Sequence, residues 1–345
     1  TGSGTGAMEY PTLLTGGTTW LSPAAGGEPG AVVLHELAHQ WFQGVVATDE
    51  VSEAHLDEGL ATWAAARAVT RLQGPPSPVV EAFGIPIALR SLSRTLPEGE
   101  AQDALDQAAF SRSDPTLRES WRALDDAAVR TNAYSRTALL LESVARTIGD
   151  QPLRAAVGEY VRRFAFRHPT TTDFLDVVGE VAGAEARALL ERGWASAGPA
   201  DYAVTKAETA RMRPPAGFLG EGPRRAWAAP TQGRGEWAST VVVQRLGEVA
   251  WPVVVELRFE GGHVVKRTWD GRGEWIRYRA TGPRLLSAVV DPGRACLLDV
   301  NRLNDGLATE RDPRAARAWG HRLRFLAQNV LELFALVAAL PGAAR

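Results

Sequence analysis

Apolar residues recur at three- and four-residue intervals in the first part of the chain. Val33, Leu37 and Trp41 share one face of a helix predicted over residues 30–46, and a second helix is predicted over residues 56–72. Similar patterns predict helices at residues 120–130, 135–148, 153–166, 172–181 and 184–195. Residues 1–205 are therefore predicted to form a mainly helical domain.

The pattern changes after Arg213-Pro214-Pro215, where short β-type runs replace the helical spacing. These runs cover residues 239–245, 253–259, 263–269, 275–278, 285–290 and 295–298. Turn signals such as Asp270-Gly271 and Asp291-Pro292-Gly293 separate them. Short strands at this spacing are typical of an antiparallel β-sandwich, which we place at residues 206–305.

A last helical pattern lies within residues 306–345, which completes a predicted α+β multidomain fold. Arginines precede an apolar run over residues 325–340 that also contains Gln328, Asn329 and Glu332. Because a membrane span needs roughly 20 apolar residues, this run is too short to predict one. Two alternatives remain: a helix docked on protein, or a membrane-associated or truncated anchor segment. The second favours an extracytoplasmic or membrane-associated location.

The composition limits the kind of protein further. With 45% hydrophobic and 23% charged residues it is typical of a globular protein, and its net charge of −2 predicts no nucleic-acid partner. Cys296 is the only cysteine, which excludes an intrachain disulfide and a cysteine-based zinc site. The chain starts at Thr1 without a signal-peptide pattern, and we expect a fragment or a processed form.

The residues with the clearest chemistry lie between positions 35 and 58. On a helix of about 3.6 residues per turn, His35 and His39 project from one face and can share a metal ion, with Glu36 beside it. Glu58, at the start of the next predicted helix, is placed to supply a third ligand. Three protein ligands leave a fourth position for water, as in catalytic zinc sites. The sequence thus predicts one Zn²⁺ per chain.

These residues resemble the aminopeptidase N-like gluzincin family of zinc metallopeptidases. Two matching segments are His35-Glu36-Leu37-Ala38-His39-Gln40-Trp41-Phe42 and Glu58-Gly59-Leu60-Ala61, with eighteen residues between His39 and Glu58. The others are Gly6-Ala7-Met8-Glu9, Tyr134-Ser135-Arg136-Thr137 and residues 164–171. They occur in family order between about residues 6 and 200. The resemblance implies a mainly helical, thermolysin-like catalytic domain followed by a small β-sandwich.

The resemblance also implies roles for the catalytic and metal-binding residues. His35, His39 and Glu58 bind zinc in this family. Glu36 is the general base that takes a proton from the metal-activated water. Tyr134 donates a hydrogen bond to the oxyanion that forms during hydrolysis.

The segment before the first helix is implied to bind the substrate. Glu9 holds the free α-amine, and Gly6, Ala7 and Met8 line the cleft. A carboxylate at this position selects peptides with a free N-terminus, because an internal peptide would leave it unpaired.

Several positions depart from the family pattern. Tyr10 replaces the Asn that follows Glu9, and Arg136-Thr137 replace Lys-Gly after the tyrosine. Asp57 stands where the family usually has Asn. We also expect the chain to lack the large N-terminal β-domain of full-length members.

The leading functional hypothesis is a zinc aminopeptidase that removes N-terminal residues from peptides. One alternative is a zinc endopeptidase of the same class. Another is a non-catalytic, zinc-containing structural or binding module of a membrane-associated complex. Glu36 and Tyr134 argue against this last alternative, because zinc binding alone requires neither of them.

Overall fold

The structure is a computed structural model, which describes residues 7–16, 28–73, 79–82, 85–88, 114–212, 216–228, 236–310 and 313–338. The chain divides into two compact units. The larger comprises Thr1–Pro76 and Leu96–Thr309, and the smaller comprises Ser77–Thr95 and Glu310–Arg345. Gly6, one of the predicted cleft residues, lies outside the described residues.

The α-helices are α1 (Glu28–Ala38), α2 (Glu50–Gln73), α3 (Asp126–Thr131), α4 (Thr137–Ile148), α5 (Asp150–Arg163), α6 (Thr171–Val181), α7 (Ala184–Ala195) and α8 (Pro313–Ala338). A π-helical segment, Asn132–Arg136, joins α3 to α4. The helical character predicted for the first part of the chain is therefore confirmed.

The predicted bounds of two helices were wrong. The apolar spacing continues to residue 46, yet α1 ends at Ala38, because the amides of Gln40 and Trp41 already bond to carbonyls three residues back. The chain then turns at Gln43, which has a φ of 96°. The turn is closed by the Gly44 amide, which donates to the His39 carbonyl at 2.8 Å. The predicted helix over residues 120–130 is a 3-10 turn followed by α3, whose N-terminus is capped by the Asp125 side chain.

The helices of the larger unit pack around large side chains that are fully buried. Leu140 and Val144 on α4, Phe174 on α6, and Leu190 and Trp194 on α7 each have 0% exposure. Helix α6 begins with a capping box, in which Thr170 and Asp173 satisfy each other's backbone amides. This helical core is the support on which α2 and the π-helical segment lie.

The strands are β1 (Val79–Ala82), β2 (Ile85–Ala88), β3 (Tyr202–Arg211), β4 (Gly217–Leu219), β5 (Ala226–Ala228), β6 (Trp237–Arg245), β7 (Val253–Phe259), β8 (Val264–Trp269), β9 (Trp275–Gly282), β10 (Leu285–Val290) and β11 (Gly306–Ala308). All their pairings are antiparallel. The larger unit has a four-stranded sheet of order β11-β10-β7-β8, a three-stranded sheet of order β3-β6-β9, and the β4-β5 hairpin.

One predicted strand, residues 295–298, was wrong. The Asp291 carboxylate accepts hydrogen bonds from the amides of Ala295 and Cys296, at 2.9 Å each, and this folds the segment into a loop. The coarse prediction of helices followed by antiparallel sheets is confirmed. The domain boundaries after residues 205 and 305 stay predictions.

The smaller unit contains the β1-β2 hairpin and helix α8. Side chains along α8 that are mostly exposed include Phe325, Leu331 and Phe334. Among the described residues, no helix combines the length and the apolar content that crossing a membrane requires.

Candidate metal centre

Helices α1 and α2 bring the three predicted metal ligands together. The Nε2 atoms of His35 and His39 lie 3.0 Å apart. Glu58 Oε2 lies 3.0 Å from the first and 3.2 Å from the second. Within the described part of the chain, this is the group of His, Cys, Asp and Glu residues whose ligand atoms converge closely enough for one metal ion.

The three atoms fit a tetrahedral metal ion. Donors about 2.0–2.1 Å from zinc lie roughly 3.3 Å from one another, close to the separations found here. Two imidazole nitrogens and a carboxylate oxygen also supply more lone pairs than protons, so a cation between them satisfies all three. His39 is almost fully buried at 2% exposure, and His35 stays partly open to solvent.

Glu58 reaches the histidines because α2 packs closely against the π-helical segment. A Cβ on Gly59 would lie 2.5 Å from Thr137 Cβ and 2.7 Å from the Ala133 carbonyl oxygen. Only glycine allows this approach. Helix α2 is also kinked at Glu53, whose φ and ψ are −127° and 33°, shortly before the ligand Glu58 in the chain.

Tyr134 lies on the π-helical segment and faces the metal ligands. Its hydroxyl donates a hydrogen bond to Glu58 Oε1, and its ring stacks on His35 with centroids 5.7 Å apart. Burial, reinforced by the Glu58 charge, raises the pKa of Tyr134 above its ordinary value. The hydroxyl therefore keeps its proton at neutral pH and remains a donor.

Arg136 anchors the segment that carries Tyr134. Its guanidinium is fully buried and donates to the carbonyl oxygens of Gly193, Ser196, Ala197 and Gly198, at 2.8 to 3.2 Å. These carbonyls belong to the end of α7 and the residues after it, where a helix leaves acceptors unpaired. Arg136, which replaces the Lys of the family pattern, thus has a structural role that the sequence did not indicate.

Glu36 lies beside the ligands and is buried, with 6% exposure. Burial is the main cause that raises the pKa of its carboxyl. The charges of Glu9 and Glu58 raise this pKa further, while those of His35 and His39 lower it. A raised pKa makes Glu36 a better proton acceptor than an exposed glutamate.

Glu9 directly follows Met8, which forms an isolated antiparallel bridge with Thr15. At the tip of this loop, the Thr12 amide donates a hydrogen bond to Gln40 Oε1 at 3.3 Å, and Gln40 lies just after the end of α1. Burial is the main cause that raises the pKa of Glu36, and the charge of Glu9 adds to it, which places Glu9 in the neighbourhood of Glu36. Ala7 precedes the bridge and is partly buried, and Met8 is 43% exposed.

Asp57 contacts a metal ligand and was not among the predicted site residues. Its Oδ1 lies 2.7 Å from His39 Nδ1, and the carboxylate is 1% exposed. The sequence showed only that Asp replaces the usual Asn next to Glu58. Its contact with His39 depends on the turn after α1, which the sequence pattern did not reveal.

The fold and the site together define a metallopeptidase-type centre, and the comparison with known proteins identifies its family. Residues 4–194 match the peptidase family M1 domain. The chain belongs to this family. The predicted resemblance to aminopeptidase N-like gluzincins is thereby confirmed at the level of the family. The roles of individual residues stay predictions.

Two curated relatives and one solved structure illustrate the similarity. Mitochondrial aminopeptidase 2 of Saccharomyces cerevisiae is 27% identical over 161 residues, which are 46% of this chain and 15% of that protein. Aminopeptidase N of Lactococcus lactis is 26% identical over 205 residues, 58% of this chain and 22% of that protein. The chain thus spans less than a quarter of either relative.

The crystal structure of Legionella pneumophila aminopeptidase A, in complex with aspartic acid, superimposes with a TM-score of 0.54. The superposition covers 86% of this chain and 30% of that one, at 17% identity. At this identity the similarity concerns the fold alone.

Proposed function

We propose that the protein is a zinc-dependent aminopeptidase that hydrolyses N-terminal residues from peptides. The observation that carries this proposal is the convergence of His35, His39 and Glu58 beside two further carboxylates, Glu36 and Glu9. We also propose that the helical part has the thermolysin-like layout, because it presents these ligands from two successive helices.

Glu36 performs the proton transfers in this proposal. When bound, zinc lowers the pKa of its water ligand toward about 7 and polarises the scissile carbonyl. The carboxylate of Glu36 accepts a proton from the attacking water and passes it to the departing amine. Its burial at 6% exposure keeps bulk water from competing for that proton.

Tyr134 is the donor to the oxyanion. In the structure its hydroxyl donates to Glu58 Oε1, whose partner oxygen Oε2 faces the two histidine ligands. Because the pKa of Tyr134 is raised, the proton remains available when negative charge develops. A donor placed in this way contributes roughly 2.7–4 kcal/mol to transition-state stabilisation.

Glu9 determines that the substrate has a free N-terminus. Its carboxylate pairs with the α-ammonium group, while the loop from Met8 to Thr15 forms the end of the cleft. An acetylated or internal peptide offers no positive charge there, and the carboxylate would lose its hydration without a partner.

A pair of peptides with the same sequence, one free and one N-acetylated, tests the proposal with zinc-loaded protein. We expect the free peptide to lose its first residue and the acetylated one to remain intact. A chelator should stop cleavage, and Glu36→Gln should slow it by about 10²–10⁴-fold without changing zinc content.

Two other outcomes would support the alternatives. Internal cleavage of the acetylated peptide would identify an endopeptidase of the same class. If the zinc-loaded protein cleaved neither peptide, and Glu36→Gln behaved like the wild type, the protein would be a non-catalytic zinc module.

We further propose that α8 associates with an anionic membrane surface, which places the protein in a membrane-associated or extracytoplasmic location. Its exposed apolar side chains include Phe325 and Phe334, and Arg317, Arg322 and Arg324 are exposed on the same helix. Sedimentation with phosphatidylglycerol vesicles should recover the protein, and neutral phosphatidylcholine vesicles should not. If Phe325→Ser with Phe334→Ser left this recovery unchanged, or if neither vesicle bound, the association would be rejected.

A further inference from the structure

The two histidine ligands have different partners on their Nδ1 atoms. His39 Nδ1 lies 2.7 Å from Asp57 Oδ1 and 3.2 Å from the Phe42 carbonyl oxygen, both of which are acceptors. Among the described residues, His35 Nδ1 faces the Thr62 hydroxyl, at 3.4 Å. His39 therefore carries its proton on Nδ1, and its Nε2 lone pair points at the metal position.

The surroundings of Asp57 leave it little freedom. Its carboxylate is 1% exposed, and His39 is 2% exposed. The residue follows the kink of α2 and directly precedes the ligand Glu58, so one short stretch supplies both a ligand and the support of another ligand. A buried carboxylate without a cation nearby is costly, and a divalent ion one imidazole away offsets that cost.

We propose that Asp57 is a positioning residue that sets the metal affinity of the site through His39. This inference rests on the metal site of the proposed function. The carboxylate fixes the imidazole tautomer and ring orientation and makes Nε2 more basic. It also adds a negative charge close to the ion, in addition to that of the ligand Glu58. The usual Asn of the family would accept the same hydrogen bond without that charge.

Two variants separate the hydrogen bond from the charge. In Asp57→Asn the amide oxygen can still accept from Nδ1, and only the charge is lost. In Asp57→Ala both are lost. We expect zinc to bind about 10-fold more weakly in the first variant and up to about 100-fold more weakly in the second.

The measurement is the dissociation constant for zinc, by competition of the metal-free protein with a chromophoric chelator, in the absence of substrate. Glu50→Gln is the matched control. Burial, followed by the charges of Asp57 and Glu58, raises the pKa of Glu50, so it lies near both carboxylates, and within the described part of the chain it makes no hydrogen bond to a metal ligand. This control removes one nearby charge and should leave the dissociation constant within about twofold of the wild type. Unchanged unfolding of the metal-free Asp57→Asn protein would show that the fold is intact.

The outcomes distinguish the inference from the proposed function. If Asp57→Asn and Asp57→Ala bound zinc as tightly as the wild type, the inference would be overturned. A loss in Glu50→Gln as large as that in Asp57→Asn would also overturn it, because the effect would then be nearby charge alone. A wild-type protein that binds zinc but cleaves no peptide would refute the proposed function and leave this inference standing.

Discussion

Gly59 lies where α2 contacts the π-helical segment, and replacing it by alanine tests how far the site depends on that contact. The new Cβ would lie 2.5 Å from Thr137 Cβ and 2.7 Å from the Ala133 carbonyl oxygen, whereas ordinary contacts begin at 3.4 Å. The two elements must therefore separate by roughly 1 Å.

Neither neighbour can move away easily. The Thr137 hydroxyl donates to the Asn132 carbonyl at 2.9 Å and accepts from Trp194 Nε1 at 3.2 Å, which holds its rotamer. The Ala133 oxygen is part of the backbone. Overpacking of this kind costs about 1–3 kcal/mol, and we expect Gly59→Ala to lower the free energy of unfolding by that amount.

The separation should also reduce activity, because it moves Glu58 relative to Tyr134. A displacement of about 1 Å at a catalytic site can cost as much as 100-fold in rate. The assays are urea unfolding and kcat for removal of an N-terminal residue, measured on the zinc-loaded protein. Adding Thr137→Ser to Gly59→Ala should restore part of both losses, because the Cγ2 methyl group, which is the atom nearest to the new Cβ, is then gone while the hydroxyl keeps its two hydrogen bonds.

Gly158→Ala is the matched control for this prediction. Gly158 lies inside α5, and a Cβ there would meet no atom within 4 Å. Since alanine is favoured over glycine in a helix by about 0.8–1 kcal/mol, the control should be slightly more stable and equally active. If Gly59→Ala were as stable and as active as Gly158→Ala, the close packing would not be what joins Glu58 to Tyr134.

The remaining predictions concern two buried side chains that support the site. Burial lowers the pKa of His55 to about 3, so the folded protein keeps it neutral while the unfolded chain takes up a proton below about 6.5. Stability from this group is present above pH 6.5 and lost as pH falls, by roughly 2 kcal/mol at pH 5. Urea unfolding at pH 7 and 5 should therefore show a smaller loss in His55→Gln than in the wild type, and equal losses would contradict the cause. Arg136→Met should lower the unfolding free energy by at least about 3 kcal/mol, because each hydrogen bond to a charged group contributes roughly 1.5–3 kcal/mol. The unfolding free energy of Arg136→Lys should lie between those of the wild type and Arg136→Met. If Arg136→Met were as stable as the wild type, the four carbonyls would have found other donors.

The metal ligands could be predicted from the sequence because their geometry is local. His35 and His39 are one helical turn apart, and this spacing fixes their common face wherever the helix lies. Glu58 required one further step, the return of the next helix. The position of Glu58 at the start of the next predicted helix suggested that step, and the spacing of the family supported it.

Other parts of the site depend on contacts that no local pattern encodes. Tyr134 meets Glu58 across 76 positions of the chain, through a π-helical segment whose extra residue per turn breaks the helical periodicity. The buried contacts of Arg136 reach residues about 60 positions away. A charged residue on a predicted helix is usually exposed, so its burial could not be inferred.

The errors of fold prediction have physical causes as well. Apolar residues after Ala38 continue the spacing of α1, but the backbone changes to three-residue hydrogen bonds at Gln40 and Trp41 and then turns at Gln43, which has a positive φ. The spacing of apolar residues does not reveal such a change. Strand β3 was missed because much of its length is exposed and polar, as at Lys206 and Glu208. Its pairing with β6 determines its conformation more than its own residues do.

The carboxylate of Glu58 connects the metal ligands with Tyr134, because its two oxygens make different contacts. Oε2 faces the two histidines, while Oε1 accepts the Tyr134 hydroxyl. Placement of the tyrosine is thus set by a metal ligand, and placement of that ligand is set by the contact of Gly59 with Thr137. Asp57 adds the corresponding support for His39 from the adjacent position. Metal binding and oxyanion donation therefore depend on the same few residues of α2, and a change in the packing of that helix must affect both.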